Sequence, residues 1–575
     1  MNYNVLIKNL KKDFSSLKKI KIAVLGDSAT QMLVKALRAY GYERGYDFTI
    51  FEADYDQIER QVFDPGSELF EFKPDYVIIY YSSKKLIKKF YNLPTEQKGG
   101  FADKKINDIA SIYEAVNSSL KCKTILFNFT EINDSVFGNF ANKTTHSFTY
   151  QVRKINFELM GLAQRYKNLF INDISALSAK YGSDFSNDPK MFINADIHTS
   201  LDFLPILAKN ITEIILSIAG SFKKCVILDL DNTLWGGIIG DDGYENIQVG
   251  DLGIGKAFTE LQRWIKQLKQ RGIILAVCSK NFEHVAQEAF EKNPDMILKL
   301  DDIAVFVANW DNKADNIRHI QSILNIGFDS MVFFDDNPFE RNIVRENIPD
   351  ITVPELPEDP AEYLPYLQSL NLFETASYTE EDEQRTQQYK EEAKRTEVQK
   401  QFANEDEFLQ SLNMVSAVKP FDKFNTPRVA QLTQRSNQFN LRTVRYTENE
   451  VQEVGNSAGH FPLSFTLEDK FGDNGLISVV ILKKDTAEKL FVDTWIMSCR
   501  VLKRGMENFV LNNVMEVAAK NGFKEVVGEY IATAKNGMVK EHYQRLGFTT
   551  DPANENRFSL KVADYKNLKT FINTK

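Results

Sequence analysis

The chain has 575 residues, 43% of them hydrophobic and 26% charged, with a formal net charge of −9. That length exceeds what one core can hold and predicts roughly three domains of ~150–200 residues. The composition is ordinary for a globular chain and does not favour disorder, and the acidic balance argues weakly against nucleic acid or an anionic membrane as the main partner.

Cys122, Cys225, Cys278 and Cys499 lie far apart without metal-type spacing. Neither a disulfide framework nor a structural zinc is expected, and a reducing cytoplasm fits. Charges break every short apolar run of the amino terminus, MNYNVLIKNLKKDFSSLKK, so no secretory signal is predicted. No stretch approaches the ~20 apolar residues of a membrane helix.

The first segment opens with KIAVLGDSATQMLVKALRAY, a short apolar strand that turns at Gly26-Asp27-Ser28 into a helical stretch over 32–40. Apolar runs at 76–81 and 124–129 alternate with helical patterns, which predicts an α/β layer on a mostly parallel sheet. An amphipathic stretch at 201–219 closes it. The Gly-Asp-Ser turn, together with Asn194-Ala195-Asp196-Ile197-His198, resembles the SGNH (GDSL-type) hydrolases. That resemblance implies Ser28 as nucleophile and His198 as its base. The acid that usually stands three residues before the histidine falls on Ala195, with Asp196 beside it, and only Asn128 offers itself as an oxyanion donor.

The second segment begins at CVILDLDNTLWGG. Strand–helix units follow: a helix over 256–270, then GIILAVCS, MILKL and SMVFFDD, which predict a doubly wound parallel sheet. Asp229 and Asp231 are two apart at a strand end and point the same way. Such close carboxylates repel, and a hard divalent cation with oxygen ligands, Mg²⁺, resolves the conflict. Ser279 follows a strand and can donate to a phosphoryl oxygen, Lys313 in NWDNKADN supplies positive charge, and Asp335 and Asp336 end SMVFF. In this order the motifs resemble the haloacid-dehalogenase (HAD) superfamily. The resemblance implies Asp229 as nucleophile through an aspartyl-phosphate and Asp231 as acid, then base. It further implies Ser279 and Lys313 on the phosphoryl group, with Thr233 and Asn232 of the same motif beside it. Mg²⁺ would be bound by Asp229, the carbonyl of Asp231 and Asp335, with Asp336 either ligating or orienting.

DLDNTLWGGIIGDDG, AVCSKN and VFFDDNPFERN narrow the likeness to the FkbH-like group, as do QLTQRSNQFN (431–440) and NLRTVRYT. Members of that group make or transfer a glyceryl unit from a phosphorylated three-carbon acid to an acyl-carrier thiol, or act as related phosphatases. The stretch from Thr233 to Ile247 is too short for a large cap domain, and Trp235, Gly236 and Gly237 either shape a flap or, for Trp235, fill the core. Cys278 has two readings: an acyl-carrying thiol in the same crevice, or a small buried core residue on the opposite face from Ser279.

A proline- and acid-rich linker is expected over 353–365, and a solvated charged helix over 379–401. Strands at 475–483 and Lys489–Met497 precede a helix over 505–521. Arg500-Val-Leu-Lys503-Arg504-Gly505 resembles the pyrophosphate loop of GNAT acyltransferases, and Asn536, Val539, Tyr543, Gly547 and Phe548 follow that fold's pattern apart from Val539. This implies a site for coenzyme A or a phosphopantetheine arm on Arg500, Arg504, Gly505, Asn536 and Tyr543. Glu468, Asp469 and Asp473 are either bases or an ordinary polar turn.

The expected fold class is α/β with three domains. These are an SGNH/flavodoxin-like domain at 1–220, a HAD Rossmannoid sheet with minimal cap at 221–365, and a GNAT-like α+β domain at 366–575. The leading function is a Mg²⁺-dependent phosphatase or phosphotransferase acting on a small phosphorylated acid, with an acyl-carrier protein as partner. The alternatives are a multidomain acyltransferase and a carrier-docking scaffold.

Overall fold

The computed structural model describes residues 2–120, 122–399, 401–533 and 535–575; the side chains of 380, 393, 396, 397 and 499, and so the Cys499 thiol, lie outside that description. One compact unit ends at Leu216 and a second spans Ser217–Lys575. Among the described residues no helix is long and apolar enough to cross a membrane.

The first unit is built on five parallel strands: β1 (Lys18–Gly26), β2 (Tyr46–Glu52), β3 (Tyr76–Tyr80), β4 (Lys123–Phe127) and β5 (Leu169–Asn172). Their order is β2-β1-β3-β4-β5, the flavodoxin-like arrangement, whose direction reverses between β1 and β3. YVIIY and the ILF of KTILF are continuous apolar runs because strands covered on both faces have no solvent side to alternate toward.

In the second unit β6 (Cys225–Leu228), β7 (Ile274–Ser279), β8 (Val305–Ala308) and β9 (Met331–Phe334) form a parallel sheet in the order β8-β7-β6-β9. Helices Gly255–Gln270, Glu283–Lys292 and Lys313–Leu324 fill the crossovers. MILKL, expected as a strand, leads instead into a 3₁₀ turn at Leu300–Asp302, and the strand follows at β8. The expected linker is no free tether. Leu356, Tyr363 and Leu367 are buried against the sheet, in one cluster with Leu228 and Phe334.

A nine-stranded mixed sheet completes this unit. It contains β10 (Val415–Ser416), β11 (Val418–Lys419), β12 (His460–Asp469), β13 (Gly472–Lys484), β14 (Lys489–Met497), β15 (Glu525–Glu529), β16 (Thr549–Asp551), β17 (Asn554–Lys561) and β18 (Asn573–Thr574). β14 and β15 run parallel and pair only from Lys489 to Phe491, then part. Backbone groups exposed by such a splay need partners, and the chain supplies them itself. Met497 N–H donates to Phe439 O at 3.1 Å, Leu441 N–H to Trp495 O at 3.4 Å, and Ile531 N–H to Leu441 O at 2.9 Å. The helix Arg385–Gln399 is not merely solvated. Tyr389 packs into the core behind β6 and β7, and Arg395 is buried on Asp469 at 2.7 and 2.9 Å.

Candidate active site

The carboxyl ends of β6 and β9 meet where the strand order reverses, the place where open parallel sheets hold ligands. Asp229 follows β6 and its N–H donates to Phe334 O at 2.9 Å, which fixes it beside Asp335 and Asp336 at the end of β9. One carboxylate oxygen from each of these three acids lies within 4.8 Å of the others. Lys313, the first residue of its helix, is buried with its Nζ 3.0 Å from Asp229 Oδ2 and 2.6 Å from Asp335 Oδ2. Burial opposes the Lys313 charge, but the two carboxylates outweigh it and raise its pKa. Burial and then the charge of Asp229 push Asp335 and Asp336 above the carboxylate range.

Asp231 is held apart from that cluster. Its Oδ1 accepts from Trp235 Nε1 and from Ile239 N–H, both at 3.0 Å, and its Oδ2 from Asn281 Nδ2 at 2.9 Å. Burial raises its pKa, the donors pull it back, and the net shift is upward. Asn281 also reaches Ser279 Oγ at 3.2 Å, leaving the buried hydroxyl at the end of β7 a proton to donate. Asn281 was given no role from sequence, although its place two residues after Ser279 puts it on the same side. Arg341 was missed as well. Its guanidinium donates to the carbonyls of Asp335 at 2.9 Å and Asp336 at 2.6 Å, fixing the loop that carries both acids.

Two residues expected on the phosphoryl group do other work. The Thr233 hydroxyl accepts from Asp336 N–H at 3.1 Å and faces Asp336 Oδ1, so it orients that acid. Asn232 takes a left-handed backbone, φ 53°, and its Oδ1 accepts from Gly237 N–H at 3.0 Å, closing the turn after the motif. Trp235 is fully buried and at the same time touches Asp231, so the core and flap readings merge. Cys278 is a correction. It shares a face with Ile274 and Ala276 while Leu275 and Val277 occupy the other, and its fully buried sulfur sits 3.7 Å from Lys313 O. Strand alternation removes it from the crevice that Ser279 faces, and burial pushes its thiol far up.

In the first unit the expected Ser28–His198 pair is not formed. His198 Nδ1 lies 3.0 Å from Ser82 Oγ, just beyond β3, and Asp196 Oδ1 lies 3.1 Å from His198 Nε2. Ser28 Oγ is buried with no hydrogen-bond partner among the described residues. Asn128 donates one amide hydrogen to Asp173 Oδ1 at 2.7 Å and accepts from Ser175 N–H at 3.1 Å, and it lines one cavity with Ser82 and His198.

The residues expected to hold coenzyme A or pantetheine do not line an open groove. Asn536 is fully buried and donates to Asn440 O and Ile531 O, both at 2.9 Å. Tyr543 is buried among Trp495, Phe548 and Phe558. Arg504 is buried on Glu392 and Asp469, and Gly505 caps the helix Met506–Lys520 with φ 71°. Arg500 lines a cavity beside Arg428 and Arg435. Asp469 belongs to the arginine network, Asp473 accepts from Gly475 N–H, and Glu468 pairs with Lys575, which settles that cluster as structure.

The model for the FkbH N-terminal domain matches residues 21–216. No curated protein matches the chain. A crystal structure of the N-terminal part of BF1531 from Bacteroides fragilis, containing a phosphatase domain complexed with Mg, is 54% identical; it covers 66% of this chain and 100% of its own, with a TM-score of 0.63. The Escherichia coli ribosomal-protein-S18-alanine N-acetyltransferase covers 27% of this chain and 99% of its own at 13% identity and a TM-score of 0.20. Spermidine N-acetyltransferase from Vibrio cholerae, solved with CoA and spermine, covers 26% and 97% at 11% identity and 0.21. Those last two scores are too low to carry an argument. With 54% identity over the whole of the Bacteroides structure, the chain belongs to the same family as BF1531, and its residues 21–216 match the FkbH N-terminal domain.

Proposed function

We propose that this protein is a Mg²⁺-dependent phosphatase or phosphotransferase that works through an aspartyl-phosphate on Asp229. The observation that carries the reading is the cluster of the buried Asp229 and Asp335 with the half-buried Asp336 and one lysine among them. Three carboxylates so close outnumber the single lysine, which touches two of them, and their hard oxygens suit Mg²⁺, the ion in the BF1531 structure. Asp229, Asp335 and Asp336 would hold it, and it would neutralise charge on the phosphoryl oxygens.

Asp229 attacks phosphorus as the P–O ester bond breaks, and the leaving oxygen takes its proton from Asp231, whose raised pKa favours the protonated form. Water then attacks phosphorus and gives its proton to Asp231, releasing phosphate and restoring Asp229. Ser279 O–H and Lys313 Nζ hold the phosphoryl oxygens throughout. Between Thr233 and Ile247 the longest element is the four-residue helix Ile239–Asp242, which supports an uncapped site open to a bulky acceptor. The substrate class is a small phosphorylated acid such as a glyceryl phosphate, and the acceptor for the acyl unit is an acyl-carrier thiol.

Phosphate release from an aryl phosphate with Mg²⁺ is the direct test. Asp229→Asn should lower it about 10³-fold or more, as loss of a nucleophile does. An unchanged rate removes the assignment. Mass spectrometry of a carrier protein incubated with the enzyme and a glyceryl phosphate tests the acceptor.

A further inference from the structure

The amino ends of the phosphatase strands open on a cavity that chemistry at Asp229 does not use. Lys224, which leads into β6, Ile274, which starts β7, and Ser330, which precedes β9, line a space of about 470 Å³. Asp229 lies at the opposite end of β6, about 16 Å away by the rise of an extended chain. The facing wall carries Arg385, Arg428, Arg435 and Arg500. Between them stand Gln431, Ser436, Asn437 and Gln438, from the stretch 431–440 that the phosphatase chemistry leaves unexplained.

Three of these guanidiniums crowd a pair of acids. Asp382 is fully buried and pairs with both Arg385 and Arg435, the latter at 2.7 Å. Its second oxygen accepts from Gln431 Nε2 at 2.6 Å. Arg428 Nε stands 2.7 Å from Glu381 Oε2. Burial first, and neighbouring arginines with it, lower Arg428 and Arg435 from the ordinary range, yet a guanidinium remains charged at neutral pH. Three guanidiniums meet two carboxylates here, which leaves one positive charge for an entering anion, and Lys224 and Lys535 line the cavity against Asp329 and Asp350. Planar guanidinium forks match phosphate oxygens two at a time. Phe328, Leu432, Phe439 and Met497 line the same cavity and leave apolar surface for an organic body.

We propose that this cavity is a second anion site, which takes a phosphate-bearing small molecule on Arg385, Arg428 and Arg435 at the end of the sheet opposite the Asp229 site. The claim does not rest on the catalytic assignment.

Isothermal titration of the full chain with inorganic phosphate, in EDTA so that metal-dependent uptake at Asp229 is suppressed, should give one binding event. Asp229→Asn should leave it unchanged. Arg428→Gln should weaken it at least tenfold, and Arg435→Lys, which keeps the charge and removes the fork, should weaken it severalfold. Acetate should bind at least tenfold less tightly than phosphate. No heat at millimolar phosphate overturns the proposal. So does affinity unchanged in both arginine variants, loss of the event in Asp229→Asn, or equal affinity for acetate. If Arg428→Gln fails to fold, Arg435→Lys decides.

Discussion

The indole N–H of Trp235 donates to the same Asp231 oxygen that Ile239 N–H reaches, each at 3.0 Å, so the proton of this acid belongs on the other oxygen, Oδ2. Trp235→Phe keeps the ring in the core and removes one donor to the ionised form. The pKa of Asp231 then rises further, and the limb of the pH profile on which activity falls with rising pH should move upward. With kcat lowered about tenfold and KM within about twofold, Asp231 acts as a positioned acid. A profile that does not move removes Asp231 from that role.

Lys313 is the one cation that touches both Asp229 and Asp335 among the described residues. Lys313→Met leaves two buried carboxylates facing each other, a loss of about 3–5 kcal/mol of stability without metal. Mg²⁺ should then raise the melting midpoint more in the variant than in the parent, since the ion replaces the missing charge. Equal gains in calorimetry would contradict the placement of Lys313 as the counter-charge.

Cys278 is predicted to be chemically silent. Its thiol is fully buried and its pKa is driven up by burial, so the thiolate that reacts with alkylating agents is scarce. Iodoacetamide should leave it unlabelled in the native chain, and Cys278→Ala should keep phosphate release within about twofold, as removal of a small buried group on the face of β7 opposite Ser279 does.

Asp27 accepts from Ser82 N–H at 2.8 Å and is lifted to about 6, chiefly by burial, although Lys85 and Lys105 pull it down. The folded chain binds this proton more tightly than the unfolded chain does. Its contribution to stability is therefore favourable near pH 4 and is lost as pH rises through about 6. Asp27→Asn keeps an acceptor for Ser82 and removes the buried charge. It should stabilise the protein by about 1–3 kcal/mol at pH 7.5, with the difference vanishing below pH 4. A variant less stable at both pH values would show that the carboxylate is better compensated than its burial implies.

The central chemistry was legible because strand geometry alone brings it together. Asp229, Ser279 and Asp335 each end or follow an apolar run, and parallel strands deliver all such ends to one edge. Lys313 was legible by its order among these motifs. The first unit was read correctly as a parallel layer, but its histidine was paired with the wrong serine. Ser82 carries no motif; it stands beside the Gly26-Asp27-Ser28 turn because β1 and β3 are neighbours, and His198, from the chain after the helix Pro189–Ala195, meets it there. In the C-terminal sheet the expected ligand residues matched a pattern whose open form this chain does not adopt. Asn536 and Tyr543 are taken up by internal packing, which no local spacing reveals. The arginine cavity was invisible in sequence, because Arg385, Arg428, Arg435 and Arg500 are separated along the chain and converge only in the fold.

The strip from Phe439 to Leu441 behaves as a strand that belongs to no strand. By residue range it is connecting chain, yet its carbonyls and amides complete the rungs between the parted ends of β14 and β15. The amide protons of Leu441, Met497 and Ile531, which form these rungs, should therefore exchange with deuterated solvent as slowly as those of the neighbouring sheet. Any guest seeking those same backbone groups must first unzip this internal occupant.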